Sequence, residues 1–128
     1  MIHQPKTRKK IAIVEDDLPI AAMYEFKLAQ KGFDVQCAHN GKLGLELIER
    51  IRPDIILLDL IMPEMHGDEM LEKLRSTDWG GKIRVIILTN ISRDEAPSKL
   101  RFLNVDRYVV KAHYTPQQVV DIVEKVLQ

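Results

Sequence analysis

Cysteine is nearly absent: Cys37 is the only one among 128 residues. An internal disulfide and a thiolate metal cage are thereby excluded, and a reducing cytoplasm is the expected home. Cys37 falls in a strand-like run, where a small buried apolar residue is expected. Aromatic residues are few, at 5%. Charge of one sign is absent too, with 19 basic against 19 acidic residues and both halves of the chain balanced. A dedicated nucleic-acid surface needs a basic excess, so direct nucleic-acid binding is not expected. The one local excess is Lys6, Arg8, Lys9 and Lys10, and residues 1–9 are expected to be a solvated basic leader. Long apolar runs are missing: stretches such as Ile55-Ile56-Leu57-Leu58 fall far short of the ~20 residues of a membrane span. No apolar segment of a signal peptide is visible at the N-terminus. The four histidines, His3, His39, His66 and His113, lack the spacing of a metal site.

What remains is an ordinary globular composition, 45% hydrophobic and 30% charged, of the size of one domain over residues 10–128. Two hydrophobic periods alternate. Lys10–Val14, Val35–Ala38, Ile55–Leu58, Val85–Leu88 and Tyr108–Val110 are short and mostly aliphatic. Two of them are continuous apolar runs, as parallel strands covered on both faces require. Helical patterns lie between. Asp17 caps a helix from about Leu18 to Lys31, with Pro19 in its first turn and Gly32 as its stop. Asn40 precedes a helix over Gly41–Ile51, and another spans Gly67–Arg75 with Asp68 and Glu69 favouring its N-terminus. Asp94 is positioned to cap a short fourth helix with Pro97 in its first turn, and Asn104 to supply its left-handed stop. Thr115-Pro116-Gln117-Gln118 has the form of a capping box opening a last helix to about Leu127. Five βα units in succession predict an α/β fold with a five-stranded, doubly wound parallel sheet, a (βα)5 flavodoxin-like order 2-1-3-4-5.

Such sheets place their chemistry at the carboxyl ends of the strands. There this chain has Glu15-Asp16-Asp17, Asp59, Thr89 and Lys111. Neighbouring carboxylates repel one another unless a cation joins them. An oxygen-rich set suits a hard divalent ion, and Mg2+ best, since it shares phosphate oxygens and keeps waters. Asp16 is the stronger candidate ligand, whereas Asp17 is read first as a solvated helix cap. Asp59 emerges from a buried strand, where a carboxylate can act as nucleophile toward a phosphoryl group. Lys111 then supplies a neutralising ammonium and Thr89 a hydroxyl donor. The same three residues are also compatible with a structural ion pair.

With these motifs together, the chain resembles the receiver domain of two-component response regulators. Ile11-Ala12-Ile13-Val14-Glu15-Asp16-Asp17 is similar to that family's first strand and acidic pair. Asp54-Ile55-Ile56-Leu57-Leu58-Asp59-Leu60-Ile61-Met62-Pro63 is similar to its phosphoacceptor segment, with Gly67 at the expected place. Thr89 follows Asp59 by 30 residues, Lys111 follows by a further 22, and Tyr108 stands three before the lysine. The resemblance implies that Asp59 takes a phosphoryl group from a histidine kinase or histidine phosphotransfer protein. It implies Asp16, Asp59 and the backbone carbonyl of Ile61 as Mg2+ ligands, with Glu15 acting through water. It implies Thr89 and Tyr108 as a switch pair that biases a two-state equilibrium. The kinase side is expected near Leu18, Pro19, Ile20 and the Ala112–Tyr114 loop. The surface of the fourth helix, fifth strand and fifth helix, with Arg101, Arg107 and Tyr108, is expected to face a downstream protein target. A monomer or a weak phosphorylation-dependent dimer is implied.

Three departures from the family pattern stand out. Ala112 occupies the usual place of proline, and Asn90 that of a small residue. Ile61 and Ile91 fill the two positions that tune dephosphorylation. Neither orients a water, so slow loss of the phosphoryl group is expected. An aspartyl phosphatase of the haloacid-dehalogenase type wants a second aspartate where Ile61 stands. A flavin or nucleotide binder wants a phosphate-holding loop where the three acids stand. A pseudo-receiver that only binds partners is the third alternative. Stand-alone regulator and domain of a larger regulator or hybrid kinase are both open.

Overall fold

The computed structural model describes residues 8–128. Of the expected basic leader, Lys6 lies outside the described residues, while Arg8 and Lys9 are exposed and precede the first strand. The strands are β1 (Lys10–Val14), β2 (Asp34–Ala38), β3 (Ile55–Leu58), β4 (Arg84–Thr89) and β5 (Arg107–Val110). The helices are α1 (Leu18–Gln30), α2 (Gly41–Ile51), α3 (Gly67–Arg75) and α4 (Pro116–Val126). All strand pairs are parallel, in the order β2-β1-β3-β4-β5. This is the flavodoxin-like α/β order expected from the alternating periods.

The period of two along β3 sorts the core. Ile56 and Leu58 face one layer with Leu47, Ile48, Met70 and Leu71 from α2 and α3. Ile55 and Leu57 face the other with Leu28, Val119 and Val123 from α1 and α4. All four β3 side chains are buried, each worth ~1.5–3 kcal/mol of apolar transfer. That double burial makes β3 a rigid post carrying Asp59 at its exit.

The helix starts follow the expected chemistry. Asp17 accepts the Ile20 N–H at 3.1 Å and Asn40 the Leu43 N–H at 2.8 Å. Thr115 and Gln118 form both halves of the capping box. Gly32 holds φ +94 beyond α1, a left-handed value that suits glycine. Arg52 ends α2 at φ 49 just before Pro53, a stop the apolar pattern does not reveal.

The expected fourth α-helix does not form. Between β4 and β5 run two short 3-10 turns, Arg93–Glu95 and Ser98–Phe102. Pro97 is the reason: it drives the preceding Ala96 into extended backbone (φ −66, ψ 149), breaking the helix between the turns. Ser92 caps no N–H with its side chain. Asn104 does take the left-handed conformation, φ 53. The face expected from a fourth helix, fifth strand and fifth helix is thus built from the 3-10 turns, β5 and α4. Lys111 is also one step beyond β5, at the start of a 3-10 turn over Lys111–His113.

Cys37 is half-buried rather than fully enclosed, because β2 is an edge strand. Its thiol donates to Glu25 Oε2 at 3.0 Å.

Candidate functional site

Glu15, Asp59 and Thr89 are the buried polar residues at the carboxyl ends of the strands, only 4%, 8% and 1% exposed. The parallel ladder brings them there. Val14 pairs with Leu58, so the residues that follow, Glu15 and Asp59, leave neighbouring strands side by side. The ladder extends one step further through the Asp59 N–H to the Val14 carbonyl at 3.0 Å. Asp16 is exposed at the mouth. One carboxylate oxygen each from Glu15, Asp16 and Asp59 lies within 4.8 Å of the others.

Lys111 completes the cluster. Its Nζ donates to Glu15 Oε1 and, at 3.2 Å, to Asp59 Oδ2. The other oxygen of Asp59, Oδ1, accepts the Leu60 N–H at 2.7 Å. Glu15 Oε2 accepts the Asp17 N–H at 3.2 Å. Asp17 is therefore the helix cap and lends its backbone, not its carboxylate, to the cluster.

Burial pushes the Glu15 carboxyl up to about 7; the Lys111 bond opposes that rise and the charge of Asp59 adds to it. Burial alone would lower the Lys111 ammonium, but Glu15 and Asp59 outweigh it and hold the lysine above its ordinary range. Two acids competing for one lysine leave a surplus of negative charge. Their donors are all oxygen, with no thiolate or imidazole among them. Such a set fits a hard divalent cation.

Gly67 makes the site compact. Its N–H donates to the Leu60 carbonyl at 3.0 Å, and a Cβ there would lie 2.1 Å from the Asp59 carbonyl oxygen. Only glycine permits that approach. Ile61 is 55% exposed at the rim, and its N–H points toward Asp59 Oδ1 at 3.5 Å.

Thr89 and Tyr108 are linked through Ile91. The Thr89 hydroxyl oxygen accepts the Ile91 N–H at 3.4 Å, and the Tyr108 hydroxyl donates to the Ile91 carbonyl at 2.7 Å. Tyr108 is half-buried, with the Arg93 guanidinium 6.0 Å from its ring centroid.

These ordered acids, hydroxyl and lysine converge as one family's residues do. Residues 11–124 match the response regulator receiver domain. The chain belongs to that family. A receiver of this kind is part of two-component signalling, and receiver domains bind Mg2+ at an acidic pocket, the place of Glu15, Asp16 and Asp59 in this one. The receiver is similar to a CheY-like response regulator receiver domain protein from Methanospirillum hungatei, at 27% identity, TM-score 0.84 and 94% coverage of each chain. It is similar to a DNA-binding response regulator of the LuxR family from Staphylococcus aureus, at 30% identity and TM-score 0.81, covering 94% of this chain and 99% of that one. A chemotaxis response regulator of Vibrio cholerae shares the fold, at 24% identity and TM-score 0.85, with 94% and 99% covered.

Two contacts in the receiver's site have no counterpart in the sequence reading. His39 Nδ1 lies 3.0 Å from the Glu15 carbonyl oxygen, bracing the acidic loop from the end of β2. Asn90 Oδ1 accepts the Ala112 N–H at 3.2 Å. The signal for the second lay in the two departures at those positions, which form one contact.

Proposed function

We propose that this receiver is a phosphoacceptor switch. Asp59 takes a phosphoryl group from a histidine kinase or histidine phosphotransfer protein. The observation that carries this reading is Lys111 held between Glu15 and Asp59, beside the exposed Asp16.

The Asp59 carboxylate attacks phosphorus as the phosphorus–nitrogen bond of the donor phosphohistidine breaks. The electron pair of that bond goes to the imidazole, and an acyl phosphate forms. Lys111 is already at Asp59 Oδ2 and follows the incoming charge. The Leu60 N–H fixes Oδ1, so the carboxylate is oriented before transfer. Asp16, Asp59 and the Ile61 carbonyl are the proposed Mg2+ ligands, with Glu15 acting through water. When bound, the ion offsets negative charge on the phosphoryl oxygens.

The response travels through Ile91. A Thr89 hydroxyl that turns to a phosphoryl oxygen gives up the Ile91 N–H, and Ile91 carries the acceptor of Tyr108. The loop and the tyrosine then shift together between two arrangements. Tyr108 lines a groove of about 680 Å³ with Arg93, Arg101 and Arg107, and this groove is the proposed output face toward a downstream protein. Leu18, 58% exposed, belongs to the proposed donor-docking side with Pro19, Ile20 and the Ala112–Tyr114 loop. The proposed setting is cytoplasmic, as a monomer or weak phosphorylation-dependent dimer, and no described helix is long and apolar enough to cross a membrane.

Incubation with acetyl phosphate and Mg2+, followed by intact mass and Phos-tag electrophoresis, tests the reading. One phosphoryl group is expected on the wild type and none on Asp59→Asn. Labelling that survives Asp59→Asn would overturn it.

A further inference from the structure

Lys111 opens a 3-10 turn, and the N–H groups of a first turn have no partner inside it. Val110, at the capping position, has no side-chain oxygen to offer, and the turn has no side-chain cap of its own. The oxygen comes from another strand. Asn90 Oδ1 reaches across from the end of β4 and accepts the Ala112 N–H at 3.2 Å. Asn90 directly follows Thr89, and Ala112 directly follows Lys111. One hydrogen bond therefore joins the two loops that carry the hydroxyl and the ammonium of the site. Both residues are exposed, so neither side chain holds its own loop by apolar burial.

We propose that Asn90 is a positioning residue for Lys111. Its side chain caps the Lys111–His113 turn from the neighbouring strand and sets the ammonium against Glu15 and Asp59. The inference rests on the phosphoacceptor reading and names what orients one of its groups.

The test combines amide exchange with a double-mutant cycle. In the unphosphorylated protein, NMR hydrogen exchange should show Ala112 protected in the wild type and unprotected in Asn90→Ala, with β3 amides unchanged. Phosphorylation by acetyl phosphate and Mg2+ should slow about fivefold in Asn90→Ala, the effect of losing one ordinary hydrogen bond. In Lys111→Met the group that Asn90 positions is gone, so adding Asn90→Ala to it should slow the reaction no further. Equal slowing in both backgrounds would overturn the proposal, as would Ala112 exchange unaltered by Asn90→Ala. A wild type that accepts no phosphoryl group overturns the phosphoacceptor reading instead, and Ala112 exchange then decides the cap by itself.

Discussion

Lys111 Nζ lies 3.2 Å from Asp59 Oδ2 although 52 residues separate them in the chain. The same ammonium bonds Glu15, from a third loop. One cation thus offsets two carboxylates in a partly desolvated place. Lys111→Met should therefore destabilise the Mg2+-free protein by about 1–3 kcal/mol, the cost of leaving buried acceptors unpaired. Adding Glu15→Gln should recover much of that loss. Urea unfolding of the single and double variants checks both.

The raised Glu15 carboxyl gives Mg2+ binding a pH dependence. Burial brings this group to about 7 without the ion. A bound cation favours the ionised form, so binding releases a proton near neutrality. Lowering the pH from about 8 to about 6 should weaken Mg2+ affinity by up to about tenfold. Calorimetry in buffers of different ionisation enthalpy measures the released proton directly.

Gly67→Ala should be among the costliest single-methyl changes. Its Cβ would meet the Asp59 carbonyl oxygen at 2.1 Å, so the backbone at Asp59 must move. A loss of about 2 kcal/mol or more is expected from such overpacking. Gly81→Ala is the matched control, with nothing within 4 Å of the added atom. Its effect should stay within about 0.5 kcal/mol. Thermal or urea unfolding compares the two.

Cys37 should resist alkylation. Burial and the Glu25 carboxylate push its thiol up to about 12, because both disfavour the thiolate. Iodoacetamide at mildly alkaline pH should label the folded protein far more slowly than the unfolded chain. Glu25→Gln should speed labelling, since it removes a negative charge from beside the sulfur. Mass spectrometry of quenched time points follows both.

Under the proposed phosphoacceptor function, Ile61 and Ile91 are expected to set the lifetime of the phosphoryl group. Ile61 is apolar and 55% exposed beside Asp59, and Ile91 holds Tyr108 through its carbonyl. Neither side chain has an atom that orients an attacking water. Dephosphorylation is expected to take minutes or longer in Mg2+ buffer, and Ile61→Asn should shorten it. Release of radiolabelled phosphate measures the lifetimes.

The strand order and the core were legible because buried parallel strands write continuous apolar runs. Ile55–Leu58 announces itself that way, and the caps at Asp17, Asn40 and Thr115 mark the helices by local hydrogen bonding. The broken fourth connection was harder. Pro97 fits a first helical turn by position, and only the extended Ala96 backbone before it shows which outcome prevailed. The acids, hydroxyl and lysine could be grouped from the sequence because each stands at or just past the end of a strand. The partners of Asn90 and His39 were not, since a side chain's reach across strands leaves no period in the chain.

Local chemistry along the chain determined where strands begin, where helices are capped and which end of the sheet carries charge. Tertiary structure alone decided that Lys111 serves Glu15 and Asp59 together, that Thr89 and Tyr108 meet through Ile91, and that Ala112 finds its acceptor on another strand. The difference is physical: caps and apolar periods act over a few residues, whereas these contacts depend on strand register and on how far a side chain reaches between loops.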